Sequence, residues 1–197
     1  CQFSGNKAGL SGGAVSCSKG RLYISGTEQS PTVFEENSVE TSGRTTRGGA
    51  LLLAYASSVE VEYTNFKGNY GIATGNYGTE GGAVAFSETS YGSFEHVSFV
   101  GTKEAGKNAV RNGAHVSMDN TSNPAQSTTF KNCSFTKGQA SNVAGAIHIR
   151  EYSNISLENC SFANNTTSNF GGAVHINNKN AQANFTNCTF SENSTKV

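Results

Sequence analysis

In 197 residues the chain has no tryptophan, one methionine, two prolines and one aspartate, Asp119. The scarcity of aspartate bears on chemistry. Glycoside hydrolysis needs two carboxylates at a set separation, and calcium-assisted chemistry needs clustered acidic ligands. The 13 glutamates left by the total of 14 acids are scattered, and only Glu35 and Glu36 are adjacent. No unit carries an acidic pair that the next unit reinforces, so the chain is not read as an enzyme. No apolar run approaches the roughly 18 residues that a membrane-spanning helix requires. Basic and acidic residues number 14 each, for a formal net charge of +0, which argues against nucleic acid as a partner. Cys-x-x-Cys is absent and nothing pairs the cysteines with histidine, so no metal or other cofactor is expected. An apolar stripe at helical spacing is missing too.

What is abundant is glycine, with 23 residues, and a sentence written repeatedly. Residues 158–176 read ENCSFANNTTSNFGGAVHI, and residues 131–149 read KNCSFTKGQASNVAGAIHI. One half of the sentence recurs as Gly12-Gly13-Ala14-Val15, Gly48-Gly49-Ala50-Leu51, Gly81-Gly82-Ala83-Val84 and Gly171-Gly172-Ala173-Val174, with degenerate copies at Gly113-Ala114-His115-Val116 and Ala144-Gly145-Ala146-Ile147. The other half is phenylalanine with asparagine three residues later: Phe3 and Asn6, Phe34 and Asn37, Phe66 and Asn69, Phe162 and Asn165, Phe190 and Asn193. Phe99 and Phe135 keep the ring, but Thr102 and Gly138 replace the asparagine. A period near 30 residues signals a solenoid. The repeat runs end to end without a linker, so residues 1–197 are read as one domain. No signal sequence opens the chain and both ends fall in mid-unit, from which a slice of a longer protein is expected.

Each unit reads as strands. In GGAVHI, alternation places Gly172, Val174 and Ile176 on one face and Ala173 and His175 on the other. In ISLENCSF, a corner at Glu158-Asn159 would let Ile155, Leu157, Cys160 and Phe162 all point inward. Asparagine suits the turn after the phenylalanine because it tolerates left-handed backbone, and paired glycines let the chain turn tightly into the next strand. Each unit holds about three short strands. Stacked at roughly 4.8 Å per coil, they form a right-handed, single-stranded parallel β-helix, a β-solenoid of about six to seven coils, with phenylalanine over phenylalanine inside.

The alternation of glycine-glycine-alanine-aliphatic with phenylalanine-x-x-asparagine resembles the chlamydial polymorphic membrane proteins over the entire chain. The resemblance implies the β-helical passenger of an autotransporter, whose signal sequence and outer-membrane barrel would lie outside this fragment. It implies attachment to a host cell-surface receptor or glycan, a tendency to self-associate, and a surface or secreted location. A different class of function is a structural extracellular solenoid that stacks end to end into fibres; a third is a carbohydrate-binding or carbohydrate-degrading β-helix.

Five cysteines are present. Cys1, Cys133, Cys160 and Cys188 stand two residues before the phenylalanine and Cys17 lies in the other strand; all are expected to face inward as free thiols that behave as small hydrophobes. A disulfide between stacked coils fits poorly, because parallel side chains do not offer the required Cβ geometry. His148 and His175 are expected outward on adjacent coils, as an ordinary surface pair. Nine Asn-x-Ser/Thr sequons occur, at Asn120, Asn132, Asn154, Asn159, Asn164, Asn165, Asn184, Asn187 and Asn193. They suit outward solenoid positions, and stacked neighbours would be too close for a glycan on each.

Spacing carries one more signal. From the phenylalanine to the glycine motif the gaps are 9, 14, 15, 14, 9 and 9. Three consecutive coils therefore swell at one corner, through 39–47, 70–80 and 103–112. Stacked, the inserts would form a lateral ridge bearing Arg44, Arg47, Tyr70, Tyr77, Lys103, Lys107 and Arg111, a candidate binding face.

Overall fold

The computed structural model describes residues 1–74, 77–101, 110–123 and 126–196. They form parallel sheets stacked as a β-solenoid of about six turns, and no helix occurs among them. An 11-stranded sheet carries the phenylalanines, and a six-stranded sheet carries the strands that follow the glycine motifs. Short strands after the asparagine turns make up smaller sheets between them. Pairing runs from each coil to the next: Phe34 is in register with Phe3 and Phe66, and Phe99 with Phe66 and Phe135.

The phenylalanines form the expected internal ladder. Seven rings, from Phe3 through Phe34, Phe66, Phe99, Phe135 and Phe162 to Phe190, stack at centroid separations of 4.5 to 5.0 Å. Those from Phe34 to Phe162 are at most 1% exposed. Beside them runs an asparagine ladder. The Asn37 side chain accepts from the Asn6 backbone N–H at 3.0 Å and donates to the Phe3 carbonyl at 2.9 Å. It also donates to Asn69 Oδ1 at 3.0 Å. The pattern repeats at Asn165 and Asn193. Each amide is thus a buried polar group satisfied by its own kind one coil away.

The corner at Glu158-Asn159 forms as expected. Asn132, Asn159 and Asn187 take left-handed φ values of 53°, 53° and 51°. One left-handed residue reverses the alternation, so Ile155, Leu157, Cys160 and Phe162 are all buried.

Two orientations differ from the sequence reading. Ala173, expected on the outward face with His175, is 6% exposed and packs in the core, as do Ala50, Ala83 and Ala146. The parity fails because the chain is still turning at this alanine: the amides of Ala50 and Leu51 both donate to the Ala83 carbonyl. The second glycine of the motif is what lets the turn fit. A Cβ on Gly49 would stand 2.1 Å from the Gly82 carbonyl oxygen, and one on Gly145 would stand 2.0 Å from that of Gly172.

The cysteines are free thiols, but they are not all inside. Cys133 and Cys160 are buried, Cys17 and Cys188 are half-buried, and Cys1 is exposed on the outermost coil, where no further strand covers it. Burial pushes the Cys133 thiol well above its ordinary range.

Truncating Phe135 to alanine removes one rung from a continuous stack and should cost about 3–5 kcal/mol, read as a lowered urea midpoint. Maleimide should label Cys1 rapidly in the native protein, while Cys133 and Cys160 should react only on unfolding; fast native labelling of those two would show that the core is open.

Candidate functional site

The swollen coils do stack in their described parts. Ser38–Ser42 pairs with Tyr70–Thr74, and Thr46–Arg47 pairs with Thr79–Glu80. The end of the third insert joins them: the backbone N–H of Arg111 donates to the Thr79 carbonyl at 2.9 Å, and the aliphatic part of Arg111 lies against Gly78. Arg44, Tyr77 and Arg111 are exposed, and Tyr70 is half-buried. Lys103 and Lys107 lie outside the described residues. Glu40 is paired with Lys7.

Arg47 leaves this surface. The glycine that follows it, Gly48, has φ 63° and folds the chain back, so the arginine reaches the outer face of the six-stranded sheet. There it enters a closed circuit of opposite charges. Arg47 Nε lies 3.7 Å from Glu80 Oε2, and Glu80 Oε1 lies 3.5 Å from Arg150 Nη1. Arg150 Nη1 is 3.6 Å from Asp119 Oδ2, which is 3.7 Å from Arg47 Nη2. The four residues come from four successive coils. Glu80 is nearly buried, with 10% of its side chain exposed. An amide chain extends the edge: Asn112 donates to Glu80, Asn142 to Asn112 and Asn169 to Asn142. Opposite charges alternate around the circuit and neutralise one another across coils, while the buried Arg47 Nε and Glu80 Oε2 make no hydrogen bond.

The chain's only aspartate therefore does have a carboxylate neighbour in the cluster, which sequence spacing had not brought together. The signal available was positional. Asp119 and Arg150 both stand three residues beyond the aliphatic residue of their glycine motif, and they pair directly. Among the described residues no group of three histidine, cysteine or acidic side chains could hold a metal ion.

The histidines need correction. His148 faces away from the core, but it is 2% exposed rather than on the surface. The turn of the coil before it closes over it: a Cβ on Gly113 would come within 3.0 Å of the His148 Cβ. His175 stacks on it at 5.4 Å and is itself stacked on Phe170 at 5.8 Å. Both nitrogens of His148 lack a hydrogen-bond partner. Burial, reinforced by His175 and Arg150, pushes its pKa down to about 3. His115, which sequence reading passed over, sits inside the solenoid in the place of the core alanine, 1% exposed and between Phe99 and Phe135. Its ring fills the space left by Gly138, whose added Cβ would meet His115 Nε2 at 2.8 Å. Burial lowers its pKa to about 4.

The repeat motif, now seen as a coil with its ladders, can be set against known families. The family model for the Chlamydia polymorphic membrane protein repeat matches residues 1–18 and 159–177. In these two segments the chain is similar to that repeat, which supports placing it with the polymorphic membrane proteins. The matched segments carry Phe3, Asn6, Gly12 and Gly13 at one end, and Phe162, Asn165, Gly171 and Gly172 at the other. In this structure the family motif is therefore a folding element, whose phenylalanine and asparagine are rungs and whose glycines are turns. No curated protein and no solved structure matches the chain.

The two buried histidines make stability depend on pH. Each has a folded pKa below its ordinary value of about 6.5, so between those values the unfolded chain binds more protons and stability falls as pH falls. Urea midpoints should drop between pH 7.5 and pH 4.5, with each histidine contributing about 2–3 kcal/mol of the loss. The drop should shrink in His148→Gln. A midpoint that stays constant over this range would show that these rings are hydrated.

Proposed function

We propose that this chain is part of the surface-exposed passenger of an autotransporter and serves attachment to host cells. The reading is supported by the family of its repeats and by the side on which its coils widen. That side carries the exposed Arg44, Tyr77 and Arg111, and the third insert also contains Lys103 and Lys107 in its sequence. The inserts hold three acids against five bases, and two of the acids, Glu40 and Glu80, are already engaged in ion pairs. The remaining positive charge favours an acidic receptor face or sulfated glycan, through an attraction that salt weakens. Arg47 belongs to the lateral circuit and is not counted among the contacting residues. No reaction forms part of this reading. The solenoid is a rigid mount, and the side chains at its widened corner make the contacts.

The observation that carries the proposal is the stacking of the described parts of the inserts onto one side of consecutive coils. Replacing Arg44, Lys103 and Lys107 by serine and Tyr77 by alanine should leave the urea midpoint within error of the parent. The same variant should lose most of the salt-sensitive binding of purified protein to epithelial cells. Undiminished binding by the folded variant would refute the assignment of this side as the adhesive one.

A further inference from the structure

A second surface lies on a different sheet. The 11-stranded sheet turns its one left-handed corner residue outward in each coil, and in the later coils that residue is Asn132, Asn159 or Asn187. Two successive earlier coils place aromatic rings there instead: Tyr63 with φ 44° and His96 with φ 53°. Left-handed backbone is costly for a bulky side chain such as tyrosine, whereas asparagine adopts it readily. Departures of this kind collect where a surface has work to do. The two rings stack at 4.8 Å with planes 6° apart. Beyond His96 the column steps down to the short amide of Asn132.

The coil before Tyr63 is unusual at the same corner. Ser25 is in register with Glu62 and Thr32 with Thr64, so residues 26–31 stand opposite Tyr63 alone. This loop braces itself: Thr27 and Ser30 exchange backbone hydrogen bonds, and the Thr32 hydroxyl donates to the Ser25 carbonyl. It forms one wall of a cleft of about 360 Å3, whose other side is the Tyr63–His96 pair and whose floor is Asn65, Ser98 and Ser134. Ser98 donates to Asn65 Oδ1. Asn65 and Ser134 both line the cleft. No lysine or arginine lines it, and Glu28 stands in the wall. Just outside, Glu95 lies 3.8 Å from His96, with Lys131 in register beside it.

We propose that this cleft is a binding site for an uncharged oligosaccharide. A pyranose has an apolar C–H face and a rim of hydroxyls. The first suits flat amphipathic rings; the second suits amide and hydroxyl side chains, each of which offers both donor and acceptor capacity. The volume lies within the range of small-ligand sites. A lining with Glu28 and no cation offers a sulfate or sialic acid no ion pair, which favours an uncharged ligand. An extended peptide is disfavoured, because the strands beneath the cleft are paired on both sides and offer no free edge for backbone hydrogen bonds. The site stands independently of the adhesive reading of the inserts.

The test is direct binding of the purified chain to immobilised neutral oligosaccharides ending in galactose, glucose or N-acetylglucosamine, with sulfated and sialylated forms alongside. The parent should bind at least one neutral glycan, and any sulfated glycan held through the inserts should be retained when the cleft is altered. The double variant Tyr63→Asn, His96→Asn installs the residue that later coils use, so it should fold with an equal or higher urea midpoint, and its binding should weaken at least tenfold. Ser134→Tyr, which fills the floor, should weaken binding similarly, and Lys179→Ser, far from the cleft lining, should leave it unchanged. Absence of neutral-glycan binding by the parent, or undiminished neutral-glycan binding by the folded double variant, would each overturn the proposal. The variants leave the inserts intact, so neither outcome bears on attachment through them.

Discussion

The buried asparagine amide is the interaction on which the coil-to-coil register depends. Asn37 holds the backbone of the coil before it at two points and its successor, Asn69, at a third. An aromatic stack alone tolerates sliding, because ring faces have no directional donors. A buried amide does not, since a shift of one residue would leave its oxygen and nitrogen unsatisfied in the core. The phenylalanines supply most of the apolar burial, and the asparagines fix where that burial occurs. The left-handed corners Tyr63, His96, Asn132, Asn159 and Asn187 keep one fixed distance from the phenylalanine that follows, so their alignment across coils follows from the register. The inserts vary the distance to the glycine turns, which are aligned by their own pairing.

That division explains what could be read from sequence. The two ladders and the glycine turns were legible because they repeat with fixed spacing, and a repeated residue in a solenoid stacks on itself. The inward alanine was not, because alternation assumes a straight strand and Ala173 sits in a bend. Burial of His148 was hidden because its cover comes from another coil: the turn at Gly113 closes over it. The partnership of Glu80 with Asp119 could not be seen because it joins coils of unequal length through two arginines. The Tyr63–His96 pair was within reach: aligning the coils on the corner asparagine would have shown two rings in its column.

The molecule therefore presents different chemistries on different sides. Inside, the ladder position is always phenylalanine, and the other core columns take apolar residues of varied size. Outside, the inserts carry positive charge, the six-stranded sheet carries a neutralised circuit, and the phenylalanine sheet carries rings, amides and hydroxyls beside acids. Because the ladders inside carry the fold, each of these surfaces can be considered without reference to the others.

One feature of the interior restricts how such a chain can be rearranged. Where asparagine rungs meet, a whole coil can be duplicated, removed or exchanged without changing the joint, since each partner offers the same groups. The coils of His115 and Gly138 are an exception. The imidazole occupies the room that the missing side chain leaves, so the two residues make sense only together. A crossover between them would leave either a ring pressed against an amide or an empty space beside Phe135. The joints where asparagine meets asparagine are interchangeable couplings, and this one is keyed: its two halves must be inherited as a unit.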